Sequence, residues 1–271
     1  VFFSHAYATS PICSPSRAGL ATGRYQQRWG NYWYGQGGLP KSEQTFAQAL
    51  RNAGYNTKKI GKTHMNGGSA EHPMDHGFEE YFGFLDHTWD YLRLSQKDVD
   101  RYGETAARQA HMGPLERDRK KVSYEERYTT ELFTEEALGY IGRRRERPYF
   151  LQISYNAVHH PTYVGHPEYL KKWGLEQFPF WNPRQEPYKD WHDKWGWMGE
   201  TDPNGRKRYL ATLNVLDDGL SRILQELDDR GQRDNTLIIF LSDNGASAEV
   251  MVRGDGHDPK APLGSHQIPI Q

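Results

Sequence analysis

The sequence predicts an α/β fold, with a mixed, mostly parallel central sheet flanked by helices. Helical and extended segments alternate along the 271 residues, which is typical of parallel strands joined by helices. Two short apolar runs, Tyr149–Ser154 and Thr236–Leu241, are strand-like, and each follows a stretch with helical spacing of apolar residues. A chain of this length can bury the core of one large domain.

The first half of the chain predicts a helix and then a strand. Residues 43–53 place their apolar side chains on one face and stop at Gly54, a typical residue for a helix C-terminus. A strand from Tyr55 to Ile60 should follow and deliver the run Gly61 to His64 into a loop. Residues 66–122 are polar and weakly periodic, so we expect irregular structure there, in an excursion that faces the substrate.

The second half predicts two helices and two strands. A helix from Tyr124 to Arg145 should end on a basic cluster that complements the negative helix terminus. The strand Tyr149–Ser154 comes next, and residues 159–203, rich in tryptophan, predict no regular element. A long helix from Gly205 to Arg230 carries a leucine stripe typical of core packing. The apolar strand Thr236–Leu241 follows it.

Composition excludes some classes of partner. The formal net charge of -1 gives no electrostatic reason to expect nucleic acid. No apolar run approaches the ~18 residues that a membrane span requires. Aromatic residues make up 13% of the chain, which suits a sugar-binding surface, although packing explains aromatic residues more often.

The single cysteine, Cys13, lies just before a helix-like segment. It cannot form a disulfide within the chain. A helix N-terminus holds anions and activates a neighbouring nucleophile. Arg17, four residues on, offers a planar fork of donors that matches sulfate or phosphate oxygens. The alternative is a buried, inert Cys13 beside a surface arginine, but the neighbouring residues favour reactive chemistry.

Polar residues follow three of the predicted strands. Lys62 and His64 follow the first, His159 follows the second, and Asp243 and Asn244 follow the third. Ligands of open α/β sheets bind outside the carboxyl ends of the strands. A carboxylate beside an amide oxygen suits Ca²⁺ or Mg²⁺, although the same triplet with Gly245 is also a common turn.

Four motifs resemble those of the type I sulfatases, in the alkaline phosphatase superfamily. The run from Cys13 to Arg24 resembles the signature Cys-x-Pro-Ser-Arg followed by Thr-Gly. Gly61–His64 is similar to Gly-Lys-x-His, and Asn156–Pro161 is similar to Asn-Ala-x-His-x-Pro. Asp243–Gly245 is similar to the Asp-Asn-Gly motif of the metal site.

The resemblance implies hydrolysis of a sulfate ester, of a carbohydrate or an aryl substrate. Cys13 would be converted to formylglycine by a formylglycine-generating enzyme or a radical maturase, and its hydrate would be the nucleophile. Arg17 and Lys62 would hold sulfate oxygens, His159 would protonate the leaving alcohol, and His64 would take the proton of the second hydroxyl. These four residues and Cys13 form the expected catalytic set.

The same resemblance implies a divalent cation, normally calcium, with magnesium as the alternative. Its ligands would be Asp243, Asn244 and the modified Cys13. The family's aspartate pair, also metal ligands, should lie upstream of Val1. A later active-site lysine has no convincing counterpart, since the surroundings of Lys260 do not match.

We therefore expect residues 1–271 to be a sulfatase catalytic domain truncated at both ends. It would lack the first strand and the C-terminal part, and the fragment alone would be poorly active or inactive. The full-length protein is expected to be secreted or periplasmic. The rival interpretations are a phosphonate or phosphate ester hydrolase of the same superfamily, and a non-catalytic carbohydrate-binding or structural module.

Overall fold

The centre of the fold is a five-stranded mixed sheet. The computed structural model describes residues 1–33, 36–65, 72–85, 91, 115–122, 127–159, 165–177, 185–191, 194 and 204–245. The strands are β1 (Asn56–Lys62), β2 (Glu80–Phe84), β3 (Leu115–Arg117), β4 (Lys120–Val122) and β5 (Tyr149–Ser154), in the order β4-β3-β2-β1-β5.

The interior strand β1 pairs in parallel with both β2 and β5. The pairs β2–β3 and β3–β4 are antiparallel. The predicted α/β class with a mixed sheet is confirmed, and its parallel part brings the carboxyl ends of β1, β2 and β5 to one edge.

Helices pack against this sheet. The described helices are α1 (Cys13–Thr22), α2 (Phe46–Asn52), α3 (Thr129–Ile141), α4 (Pro167–Lys172), α5 (Tyr188–Trp191) and α6 (Gly205–Asp229). Short 3-10 helices occupy Gln26–Trp29, Pro73–His76 and Arg233–Asn235. None of the helices in the part of the chain that the structure describes is long and apolar enough to cross a bilayer.

Strand β5 shows how the two faces of the sheet are covered. Leu151 and Ile153 join the main apolar core, which includes Phe133 of α3 and Ile223 of α6. Phe150 points to the other face, where its ring packs against aromatic residues that include Phe46 of α2. Because side chains alternate along a strand, α3 and α6 cover one face and α2 covers the other.

Two helices are shorter than predicted. The helix expected over 43–53 begins at Phe46, because Thr45 and Gln48 form a capping box that fixes its start. The helix expected over 124–145 spans Thr129–Ile141, and residues 124–126 lie outside the described residues. Arg143 follows the helix and binds both carboxylate oxygens of Glu80 instead of completing the last turn.

The prediction of irregular structure over 66–122 is wrong where the structure describes that range. It contains β2, β3, β4 and the 3-10 helix Pro73–His76, whereas 66–71, 86–90 and 92–114 lie outside the described residues. Strand β2 reads Glu-Tyr-Phe-Gly-Phe and is buried on both faces over its last four residues, so it lacks the alternation by which strands are recognised. Strand β1 also runs two residues beyond the predicted end at Ile60.

The segment Thr236–Leu241 is not the buried strand that its sequence predicts. It pairs with no other described strand, and the exposure of Leu237 and Phe240 is 86% and 72%. An apolar run becomes a buried strand only when neighbours cover it, and the described residues supply none. The prediction of α6 is confirmed to within one residue at its C-terminus.

The region 159–203 contains two short helices, α4 and α5, where no element was predicted. Much of that region lies outside the described residues, as does Lys260.

Candidate active site

Cys13 is the first residue of α1. It is a free, partly buried thiol, and Pro15 in the first turn needs no hydrogen-bond acceptor because it has no N–H. The preceding residue, Ile12, has no side chain that could cap the helix. Cys13 therefore lies at the positive end of the helix.

Arg17 lies one turn further along α1 and joins three parts of the chain. Its Nε and Nη2 atoms lie 2.9 and 2.7 Å from Oδ2 of Asp243, and its Nη1 donates to the carbonyl oxygen of Lys62 at 3.2 Å. The neighbouring Ser16 hydroxyl donates to the main-chain carbonyl of Asp243. Helix α1, the end of β1 and the loop at 243 are thus bound together.

Lys62 completes this cluster at the end of β1. Its side chain is buried, and the side chain of Cys13 is close enough to favour its charged form. Burial, and then the positive charge of Arg17, lower the pKa of Lys62 to about 8, against the opposing effects of Cys13 and Asp243. A cation aimed at position 13 is suited to hold an anionic group there.

Strand β1 carries lysines on both of its faces and an unusual backbone conformation near its end. Along β1, Lys58 faces Glu136 of α3, whereas Lys59 lies over the ring of Phe78 on the opposite face. Gly61, directly before Lys62, has a φ of 92°, a conformation that favours glycine.

Asp243 and Asn244 provide oxygen atoms of the kind that hard cations prefer. Burial raises the pKa of Asp243, but the charges of Arg17 and Lys62 outweigh this effect and hold it below its ordinary value. The Asn244 amide nitrogen donates to the carbonyl of Pro11 at 3.4 Å.

The donor chemistry fits part of a divalent-cation site. One Asp243 oxygen is already engaged by Arg17, and the described residues include no group of three or more His, Cys, Asp or Glu that could hold a metal. Calcium takes 6–8 oxygen ligands, so further donors are required.

His64 and His159 are carried to the same sheet edge by the ends of β1 and β5. His64 is buried, has a φ of 43°, and donates its backbone N–H to the carbonyl of Leu85. His159 ends a turn in which its N–H donates to the carbonyl of Asn156 at 2.7 Å. Direct contacts thus join Arg17, the Lys62 carbonyl and Asp243 beside Cys13, whereas the histidines share the edge through their strands.

Sequence reasoning missed two polar residues near this cluster. Lys59 is buried, donates to the Ser154 hydroxyl at 3.2 Å, and has its pKa lowered, first by burial and then by the charge of Arg17. The Tyr91 hydroxyl donates a hydrogen bond to the carbonyl oxygen of His159. Strand alternation could have placed Lys59, whereas no local signal marks Tyr91.

A sequence model of the sulfatase family matches residues 1–270. The chain belongs to the sulfatase family. Among relatives of this sulfatase chain, N-acetylgalactosamine-6-sulfatase of Homo sapiens is 30% identical over 263 residues, which cover 91% of the chain and 43% of the relative.

Solved structures agree with the fold of this sulfatase chain. Ps i-CgsB in complex with k-i-k-neocarrahexaose matches with a TM-score of 0.64 and 26% identity, covering 86% of this chain and 48% of that one. A protein in complex with its substrate D-glucosamine-2-N,6-O-disulfate matches with a TM-score of 0.60 and 20% identity, covering 86% and 56%. The sulfatase chain spans about half the length of these relatives.

Proposed function

We propose that this chain is the site-bearing part of a sulfuric ester hydrolase that uses a formylglycine made from Cys13. The supporting observation is the cluster in which Arg17, on the helix that begins at Cys13, binds both Asp243 and the carbonyl of buried Lys62. Family membership and the similarity to sulfatases support the same reaction. A formylglycine-generating enzyme or radical maturase is then a required partner.

Different residues of the chain supply the nucleophile, bind the sulfate group and position the nucleophile. The hydrated aldehyde at position 13 attacks sulfur through one hydroxyl, in line with the departing alcohol. The Lys62 ammonium binds a sulfate oxygen, and Arg17 holds the nucleophile's helix against the Asp243 loop. Fixed positive groups stabilise the negative charge that builds in the transition state.

Two histidines move the protons. His159 protonates the leaving alcohol, and His64 removes the proton from the second hydroxyl at position 13. That removal expels sulfate and regenerates the aldehyde. A serine at position 13 has no second hydroxyl, so its sulfate ester cannot be released in this way.

Asp243 and Asn244 would hold a divalent cation, together with the modified Cys13 and donors outside the described residues. When bound, this cation supplies Lewis-acid activation of the nucleophile and neutralises sulfate charge. Calcium is the proposed ion, and magnesium is the alternative.

The substrate is proposed to be a sulfated carbohydrate, with an aryl sulfate as the simpler alternative. The similarity to N-acetylgalactosamine-6-sulfatase, and to a structure that holds k-i-k-neocarrahexaose, supports a carbohydrate. A secreted or periplasmic location of the full-length protein stays a prediction.

We further propose that residues 1–271 are one catalytic domain truncated at both ends. The exposed apolar run Leu237–Leu241 and the half-buried edge strand β5 would both gain cover from a strand outside these residues. Coverage of less than half of the human relative's length supports this interpretation.

The experiment compares sulfate release by the full-length protein with that of Cys13→Ser. Substrates are 4-nitrophenyl sulfate and sulfated galactosamine or carrageenan oligosaccharides, and Ser4→Ala, an exposed change in the same segment, is the control. We expect sustained turnover by the parent and the control, and at most one sulfate released per Cys13→Ser molecule. Sustained turnover by Cys13→Ser would contradict the mechanism. Preference for the matching phosphate or phosphonate ester would favour the rival hydrolase.

A further inference from the structure

The turn that carries His159 is fastened by a residue outside the four motifs. The Tyr91 hydroxyl lies 2.6 Å from the carbonyl oxygen of His159 and 3.2 Å from that of Asn156. Because a hydroxyl has one proton, the two contacts form a bifurcated hydrogen bond, in which the shorter contact is the stronger one. Tyr91 therefore ties together both ends of the turn that begins at Asn156.

Tyr91 is itself firmly held. Its side chain is fully buried, and its ring stacks on that of Tyr128 with centroids 5.2 Å apart and planes 13° apart. Its carbonyl accepts the backbone N–H of Thr129 at 2.8 Å. Val215 of α6 closes the same apolar cluster.

The other end of the turn meets the same support. The hydroxyl of Thr129, the first residue of α3, donates to the side-chain oxygen of Asn156 at 3.4 Å. The turn after β5 is therefore bonded to the start of α3 twice, directly through Thr129 and indirectly through Tyr91. Such support restricts where the His159 ring can lie relative to the end of β5.

We propose that Tyr91 is a positioning residue for His159 in sulfate ester cleavage. This inference rests on the proposed function, in which His159 protonates the leaving alcohol. A misplacement of a reacting group by about 1 Å can cost roughly 100-fold in rate. The hydrogen bonds of Tyr91 to the turn 156–159, which we call the clamp, therefore matter most for substrates whose leaving group needs a proton.

The substitution Tyr91→Phe removes the hydroxyl and keeps the stacked ring. The test measures kcat and KM of the full-length protein for two esters, 4-nitrophenyl sulfate and an alkyl or sugar sulfate. The 4-nitrophenolate leaves readily without a proton, whereas an alcohol does not. We expect Tyr91→Phe to lower kcat for the alcohol ester by about 10-fold or more, with little change in KM and little change for the nitrophenyl ester.

His159→Ala provides the reference, because it should show the same selectivity for leaving groups with a larger loss, roughly 100-fold or more. Tyr140→Phe is the matched control. The Tyr140 side chain is also buried, but its hydroxyl has no hydrogen-bond partner among the described residues. Its rates should equal those of the parent for both esters.

Amide hydrogen exchange gives a second readout that needs no activity. Tyr91→Phe should speed exchange in the peptide that spans 156–159, and Tyr140→Phe should not. Unchanged exchange there, or an equal loss of rate for both esters in Tyr91→Phe, would overturn the positioning role. If the parent cleaves no sulfate ester, the proposed function fails. Faster exchange in Tyr91→Phe would in that case still show that the clamp stabilises the turn, without a role in catalysis.

Discussion

Arg17 and Asp243 are 226 residues apart in the chain, and two nitrogen atoms of Arg17 lie within 2.9 Å of one carboxylate oxygen of Asp243. This contact joins the helix that begins at Cys13 to the loop with the proposed metal ligands. The Arg17 side chain is only 11% exposed, so water competes weakly for the contact. The proposed chemistry needs the nucleophile, Lys62 and the cation ligands at fixed separations, and this pair sets one of them.

Arg17→Lys should therefore impair catalysis more than folding. A lysine cannot reproduce the contacts of Arg17 with both Asp243 and the Lys62 carbonyl. Loss of these contacts lets the helix that begins at Cys13 shift against Lys62 and Asp243, and a misplacement of about 1 Å can cost roughly 100-fold in rate, so we expect kcat/KM to fall roughly 10- to 100-fold. Steady-state kinetics with 4-nitrophenyl sulfate measures the loss. The control is Arg24→Lys, at a half-exposed arginine that binds Glu43, and unaltered kinetics in Arg17→Lys would refute the role.

Glu136→Gln should destabilise the fold without touching the site. Glu136 of α3 accepts two bonds from Arg117, at 2.8 and 2.7 Å, and also binds the fully buried ammonium of Lys58. Removing one partner of a buried ion pair typically costs about 3–5 kcal/mol. Urea unfolding at pH 7 should show a loss of this order. Glu135→Gln, at a neighbouring exposed carboxylate, should cost at most about 0.5 kcal/mol.

The same carboxylate predicts a dependence of stability on pH. Burial raises the pKa of Glu136, but hydrogen bonds from Arg117 and Lys58 and their charges lower it to about 2. Because this folded-state pKa lies below the ordinary 4.5, the contribution of Glu136 is full above pH 4.5 and declines as the pH falls toward 2. The difference in unfolding free energy between parent and Glu136→Gln should shrink over that range. A constant difference between pH 7 and pH 3 would contradict this account.

Gly61→Ala should break the junction between β1 and β5. Gly61 has a φ of 92°, and an added Cβ would lie 2.1 Å from the carbonyl oxygen of Ser154. The strands would have to separate, which displaces Lys62, so we expect loss of soluble protein or destabilisation of about 3 kcal/mol or more. Gly139→Ala on α3 meets nothing within 4 Å and should stabilise the protein by up to about 1 kcal/mol. Thermal unfolding of both variants tests the contrast, and a Gly61→Ala protein as stable as its parent would contradict it.

The site residues could be identified from the sequence, but the contacts that bring them together could not. Cys13, Lys62 and Asp243 were identifiable because each lies in a short motif with a chemical rationale. Their arrangement depends on the long-range bonds of Arg17 to Asp243 and to the Lys62 carbonyl, which have no local signal. Tyr91 was missed because its role is set by a hydroxyl that reaches across the fold to another segment.

The fold was predicted best where periodicity is strong. The stripe on α6 and the apolar run of β5 gave correct elements. Strand β2 was missed, because a strand buried on both faces lacks alternation. The run Leu237–Leu241 was wrongly expected to be buried, because burial of a strand depends on neighbours that its own residues do not specify.

The mass of the tryptic peptide that contains Cys13 and ends at Arg17 tests the central claim most directly. The peptide would come from full-length protein expressed together with a formylglycine-generating enzyme. The account predicts an aldehyde in place of the Cys13 thiol, trapped as a hydrazone by a hydrazine reagent. An intact thiol, under conditions in which a known sulfatase is fully converted, would contradict the account and favour a non-catalytic module.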